Sequence, residues 1–432
     1  MERALTGASV LLVSWYGVLW GISLVGWRES RRRYRVRPRS PLSSSPATAV
    51  PGVSILRPLK GLDHNLYENL ESTFTQDYPN FEILMSVADS NDQAISVARD
   101  LITKYPGVRA QIIIGEEAVG VNPKVSNLVP SYREASHDIV WVLDSNISVA
   151  PGTLGRAVDS LENANAAPGA KRISLVHHVP IATAAGRELG SRVEEAFINT
   201  NHARMYIAIN TLAIDSCVNG KSNLYRRSDL NQVVGGSKTR VPSDDPQPRG
   251  MAAFGKYLAE DNMIGLALWH QLGTRHELSC DVAYNVIGNM TLSVYWRRRV
   301  RWIRVRKHMV TAATLLEPMT ESLVVGSLVA ASLYRLFSIP TWLFLPLHLS
   351  VWLAVDLDVY STLAAQPLAP GQRLSFVFAW FMRELLALPI WAHAVVGSRL
   401  DWRGRKYVII QNGEVRPADP ASSPSWYTVF KN

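Results

Sequence analysis

Apolar residues cluster at the two ends of the chain and alternate with polar ones in between. Residues 4–27 carry no charge. That run is long enough to cross a bilayer, which takes about 20 residues as helix. Only Arg3 precedes it, whereas Arg28, Arg31, Arg32, Arg33, Arg35, Arg37 and Arg39 come after it. The positive-inside rule then places the N-terminus outside or in the lumen and Arg28 onward in the cytosol. A cleaved signal peptide would carry its positive charge ahead of a shorter apolar run. Residues 40–52 are rich in Pro, Ser and Ala and read as a linker. Beyond it, Val53-Ser54-Ile55-Leu56, residues 81–87, 111–114 and 139–143 predict strands. Residues 65–74, 94–104 and 152–163 predict helices between them. Strands alternating with helices predict an α/β domain with a largely parallel sheet. Ligands in such sheets bind beyond the carboxyl ends of the strands.

The stretch 237–250 is polar, rich in Pro and Asp, and predicts a mobile surface loop. Residues 263–272 predict a helix, with Glu260-Asp261 just upstream. After Lys307 three further apolar segments appear, 323–340, 341–355 and 374–397. Asp356 and Asp358 end the second, and Arg383 and Glu384 sit inside the third. A charged pair at membrane depth faces protein or water rather than lipid. The number of spans and the side of the C-terminus stay open on this pattern.

Composition agrees with the membrane reading. Charged residues are 19% of the chain, below the roughly 25% of an average soluble protein. The formal net charge of +9 lies largely in clusters beside apolar segments. That placement favours anionic lipid headgroups or a phosphorylated substrate over nucleic acid. Two cysteines, Cys217 and Cys280, provide neither a disulfide framework nor a zinc pattern.

Several residues are candidates for chemistry, each with a bland alternative. Asp144 ends the apolar run 139–143, where an acid suits a divalent cation or a plain turn. Asp89 and Asp92 stand in the same way after 81–87. Glu260-Asp261 would be favoured by a helix N-terminus, or would serve as a general base. Arg298-Arg299-Val300-Arg301-Trp302 suits an interfacial helix, and equally a clamp on a diphosphate.

The ordered set resembles the D, D, D, (Q/R)-x-x-R-W pattern of membrane glycosyltransferases with the GT-A fold. Leu56-Arg57-Pro58-Leu59-Lys60-Gly61, Val121-Asn122-Pro123-Lys124-Val125-Ser126-Asn127-Leu128, Asn201-His202-Ala203-Arg204 and Ala259-Glu260-Asp261 narrow it. These runs are similar to the ceramide glucosyltransferase family, over residues 53–307 and weakly through 402–405.

The resemblance implies a GT-A, Rossmann-like catalytic domain facing the cytosol, in the Golgi or endoplasmic reticulum. It would span 53–290, after a 1–27 anchor and a 28–52 linker. Beyond it would come an interfacial segment 291–320, a membrane region 321–398 and a tail 399–432. The implied activity is inverting transfer of glucose from UDP-glucose to the primary hydroxyl of ceramide. Asp92 would bind the uridine part, and Lys60 and Lys124 would border the nucleotide. Asp144 would hold a divalent cation, Mg or Mn, with the diphosphate. Asp261 would be the base. Arg298, Arg301 and Trp302 would secure the leaving diphosphate, Trp302 would also shape the acceptor end, and His202 would lie near it. The chain departs from the family pattern at Asn146 and His178, where glycine is expected, and at the 237–250 insertion. Two other readings remain at this stage: a processive or polyprenyl-phosphate transferase, and a non-catalytic lipid-binding scaffold.

Overall fold

A computed structural model of the chain describes residues 2–163, 169–236, 247–402, 405–410 and 413–418. The insertion at 237–250 therefore falls mostly outside the described residues, as does much of the 399–432 tail. The chain forms two compact units. One comprises 36–184, 213–287 and 399–432, the other 1–35, 185–212 and 288–398.

The first is the α/β unit. Its strands are β1 (Val53–Leu59), β2 (Phe81–Val87), β3 (Arg109–Ile114), β4 (Ile139–Leu143), β5 (Ile147–Ser148), β6 (Ile173–Ala185), β7 (Ser222–Arg226) and β8 (Arg275–Gly288). They form one sheet in the order β3-β2-β1-β4-β7-β6-β8-β5. The first four are parallel, and β7 and β6 join antiparallel. Every residue of β1 and of β4 is buried. A strand covered on both faces needs a continuous apolar run, which is what 139–143 supplies. Ile55, Leu59, Ile83, Val87, Trp141 and Leu143 pack with Leu70, Phe74, Leu101 and Leu154 from the covering helices. Leu59 pairs with Val87, so β1 and β2 end side by side. The predicted strand 81–87 and helix 94–104 match the structure at both ends. A second, three-stranded sheet near the C-terminus contains β9 (Arg399–Trp402), β10 (Arg405–Ile409) and β11 (Val415–Pro417).

The other unit is helical. Three of its helices, Glu2–Tyr34, Thr341–Ala364 and Pro370–Val396, are long and apolar enough to cross a membrane. Ser322–Phe337 has 16 residues. At 1.5 Å per residue that is about 24 Å, short of the roughly 30 Å hydrocarbon core. The aspartates expected to close the second C-terminal segment do not end it. Asp356 is buried inside Thr341–Ala364, 3.1 Å from Arg204, and accepts a hydrogen bond from Trp380 at 2.8 Å. Asp358 accepts one from Trp27 at 2.7 Å. A partnered carboxylate costs far less inside an apolar helix than a bare one, so the helix continues. Arg383 is likewise buried, paired with Glu321 and with the adjacent Glu384.

Candidate active site

At the carboxyl edge of the sheet a lysine gathers the acids. The helix Pro123–Glu134 starts at Asn122, whose side-chain oxygen accepts from the amides of Lys124 (2.9 Å) and Val125 (3.4 Å). This is an N-cap followed by proline at the first helical position. The same side chain donates its amide to Tyr257 O and to Glu260 Oε2, both at 2.8 Å. Lys124 then sets Nζ 2.7 Å from Asp144 Oδ1 and 2.8 Å from Glu260 Oε1. Lys221 approaches the other oxygen of Asp144 at 2.8 Å, and Asn146 Oδ1 at 3.3 Å.

The electrostatics of the cluster come from this packing. Burial opposes ionisation of Asp144, but the two ammonium groups overcome it and hold the carboxyl well below the usual range. Asp261 differs. It stands in the first turn of the helix Glu260–Gln271, not ahead of it as the sequence pattern predicts. Burial, then the neighbouring Glu260 charge, push its carboxyl up to about 7 against the pull of Lys124. Gly220 lies against it: a β-carbon there would sit 2.8 Å from the Asp261 carboxyl carbon.

Asp92 accepts the amide of Gly61 on both oxygens at 2.9 Å, and that of Ala94 at 2.9 Å. Exposed Lys60 precedes Gly61, whose φ of 64° is left-handed. Asp89 is exposed; its carboxylate accepts the Asn91 amide and its carbonyl that of Asp92, both local turn contacts. Arg57, fully buried within β1, supports the strand-end loop. It donates to Ile147 O at 3.1 Å and Ser145 O at 3.4 Å. Burial pulls its guanidinium down to about 9. Ser145 in turn bonds to Asp63.

Sequence reasoning missed the part played here by four residues: Arg57, Asn122, Lys221 and Glu260. An arginine inside a wholly buried strand was the available signal for the first, and Asn-Pro ahead of Lys124 for the second. Two of the three departures from the family pattern, Asn146 and His178, have local explanations. Asn146 donates to Asn285 Oδ1 at 2.8 Å while its oxygen meets Lys221. His178 is buried with Nδ1 2.7 Å from Ser222 Oγ, which also accepts from Trp141, and burial pushes its imidazole down to about 4.

Among the described residues no group of three His, Cys, Asp or Glu is gathered as a metal cage. Asp144 offers hard oxygen donors, yet both of its oxygens already meet ammonium groups. A divalent cation there would have to take most of its ligands from phosphate and water and displace an ammonium group from the carboxylate.

The remaining predicted residues belong to the helical unit. Arg298 Nε donates to buried Glu194 at 2.9 Å. Arg299 stacks its guanidinium 3.6 Å from the Phe197 ring centre. The Arg301 guanidinium lies 5.7 Å from the Trp302 ring, and Trp302 is 39% exposed. His202 closes a π-helical turn, Ile198–His202, and stacks on Tyr206 with ring centres 5.9 Å apart. Burial, then nearby arginines, push its imidazole down to about 3.

A cavity of about 340 Å³ in the α/β unit contains none of the predicted residues. Tyr132, Arg133, Arg227 and Arg249 line it. Its arginines are engaged: Arg133 with Glu117, Arg227 with Ala135 O at 2.6 Å, and Arg249 with Gln232 O at 3.0 Å.

The profile of Glycosyl transferase family 21 matches residues 14–415. The chain belongs to that family. Ceramide glucosyltransferase of Komagataella phaffii is 38% identical, over 93% of this chain and 90% of its own. That of Candida albicans is 33% identical, over 94% and 97%. Ceramide glucosyltransferase 1 of Caenorhabditis elegans is 31% identical, over 86% and 74%. Among solved structures, the mannosyltransferase PcManGT from Pyrobaculum calidifontis aligns with a TM-score of 0.46 and 17% identity, over 90% and 97%. In this family 21 member the acids Asp92, Asp144 and Asp261 are all present: Asp92 two residues ahead of the helix Ala94–Lys104, Asp144 directly after β4, and Asp261 in the first turn of Glu260–Gln271.

Proposed function

We propose that the protein transfers glucose from UDP-glucose to the primary hydroxyl of ceramide, inverting the anomeric carbon. The observation that carries this reading is the Lys124–Asp144–Glu260 cluster beside the raised carboxyl of Asp261, in a chain similar over nine-tenths of its length to a ceramide glucosyltransferase.

The hydroxyl oxygen attacks the anomeric carbon as the bond to the diphosphate oxygen breaks. Asp261 takes the hydroxyl proton, and UDP departs with the bonding pair. A base near the working pH serves this step well, because it is largely deprotonated yet still basic. Lys124 and Lys221 already neutralise Asp144 and place positive charge where the diphosphate gains negative charge. Such preorganised charge stabilises the transition state more than the ground state. A divalent cation, Mg or Mn, would be held by Asp144 and would neutralise further diphosphate charge. Asp92 and Lys60 are assigned to the nucleotide. Arg298, Arg301 and Trp302 are assigned to the leaving group and acceptor side, with His202 near the latter.

Ceramide stays in the bilayer, since each buried methylene contributes about 0.8 kcal/mol. The three long apolar helices and the arginine-rich helix Leu292–Met309 suit a multi-pass protein working at that surface. We assign its catalytic residues, within 53–290, to the cytosolic face of the Golgi or endoplasmic reticulum, on the strength of the arginines after residue 27.

The test is glucosyl transfer from UDP-glucose to a short-chain ceramide in detergent micelles. The intact protein should form glucosylceramide and UDP in equal amounts. Binding of UDP-glucose without transfer to ceramide, but with transfer to a polyprenyl phosphate or a growing glycan, would overturn the reading.

A further inference from the structure

The last described strand of the α/β unit reaches back to the segment ahead of Asp261. The Val415 amide donates to Lys256 O at 3.2 Å, and Tyr257 forms an antiparallel bridge with Glu414. The Lys256 ammonium lies 2.8 Å from Glu414 Oε1. Glu414 is also tied to β10, because its carbonyl accepts from the Ile410 amide at 2.9 Å. On its other side the same segment is held by the loop that leads into the helix Pro123–Glu134: Asn122 donates its backbone amide to Gly255 O and its side chain to Tyr257 O, both at 2.8 Å. The two loops touch backbone to backbone. A β-carbon on Gly120 would lie 2.2 Å from Gly255 C, and one on Gly255 2.5 Å from Val119 O. Tyr257 is fully buried between these partners. Three residues later the chain reaches Glu260, which Asn122 also holds.

We propose that β11 is a strap for the reaction, with Glu414 and Val415 as positioning residues that fix Tyr257 and so the Glu260–Asp261 turn. A three-residue strand has little stability alone, and its pairing with this segment matters to both partners. Neither Glu414 nor Val415 touches the reacting groups. Their effect passes through Tyr257 to Asn122, whose side-chain amide donates both to Tyr257 O and to Glu260 Oε2. Misplacing a reacting group by about 1 Å can cost on the order of 10² in rate. The kinetic part of this inference rests on Asp261 being the base.

Two kinds of variant test it in the full-length protein in detergent. Val415→Pro removes the amide that reaches Lys256 while leaving the Ile410-to-Glu414 bond. Lys256→Glu and Glu414→Lys each place like charges together, and the double exchange restores the pair. Expected are a fall in kcat of at least about tenfold in Val415→Pro and in each single exchange, with KM for UDP-glucose within about twofold, and recovery of most of kcat in the double exchange. Hydrogen exchange at amides 257–264 should speed up at least tenfold in Val415→Pro. Unchanged kcat with unchanged exchange would overturn the proposal, as would exchange that rises equally throughout the unit, which means general destabilisation. If the intact protein transfers no glucose to ceramide, the functional reading fails, and the exchange measurement alone decides the strap.

Discussion

The ammonium of Lys124 lies 2.7 Å from Oδ1 of Asp144. It also bridges to Glu260, so one side chain joins the end of β4 to the helix that carries Asp261. Replacing it with methionine leaves Asp144 with Lys221 alone and Glu260 with no ammonium partner, in a mostly covered site. Removing one partner from a buried ion pair costs roughly 3–5 kcal/mol. Lys124→Met should therefore lose most UDP-glucose binding by calorimetry and lower its melting temperature. Retained binding with only kcat reduced would remove Lys124 from the donor site.

Asp261→Asn should lower kcat by roughly 10² to 10⁴ with KM for UDP-glucose nearly unchanged, the range expected for losing a general base. The intact enzyme's kcat should fall about tenfold per pH unit below about 7, where this carboxyl gains its proton. Stability should move the opposite way. Between the unfolded aspartate's value near 4 and about 7, the native state holds a proton that the unfolded chain releases. Unfolding free energy then decreases as pH rises through that window. Asp261→Asn removes this effect, so it should melt above the intact protein at pH 8, with the gap closing towards pH 4. A lower melting temperature at pH 8 would contradict the raised carboxyl.

Arg57 serves two carbonyls from inside a strand. Lysine lacks the fork to reach both, and each unsatisfied buried polar group costs roughly 1–3 kcal/mol. Arg57→Lys should shift the denaturation midpoint down and weaken UDP binding together, since the freed loop adjoins Asp144. Loss of stability with full-strength UDP binding would separate the two roles.

Arg298 is committed to Glu194 in the helical unit. Arg298→Ala should lower thermal stability by tryptophan fluorescence, because Glu194 stays buried without its partner. Adding Glu194→Gln should recover stability. If Arg298 also serves the leaving group, transfer stays low in the double variant. Full recovery of transfer would make the residue purely structural.

The strands and helices of the parallel half were legible because their apolar runs and turn residues are local. β1, β2, β4 and the helix Ala94–Lys104 need only neighbouring residues to specify them. Asp144 stands out as an acid at the end of an apolar run, whereas Asp92 and Asp261 are named by their order within the motif set. Asp356 shows where this stops. A charged residue ends an apolar segment by composition, yet Arg204, far earlier in the chain, and Trp380 neutralise and bond it inside a helix.

By itself the sequence determined the α/β class, the apolar helices, the family and the order of its charged motifs. Each of these rests on periodicity or on residues close together in the chain. Only the tertiary structure decided which charges meet. Lys124 and Lys221 converge on Asp144 from separate segments of the chain, Lys124 links it to Glu260, and Arg57 holds the Ser145 and Ile147 carbonyls beside it. Coulomb and hydrogen-bond energies depend on distances of a few ångströms in space, which spacing along a chain does not encode. The differing behaviour of two half-buried aspartates, one held ionised by two ammonium groups and the other pushed to about 7 by burial and Glu260, comes from where each lies in that arrangement.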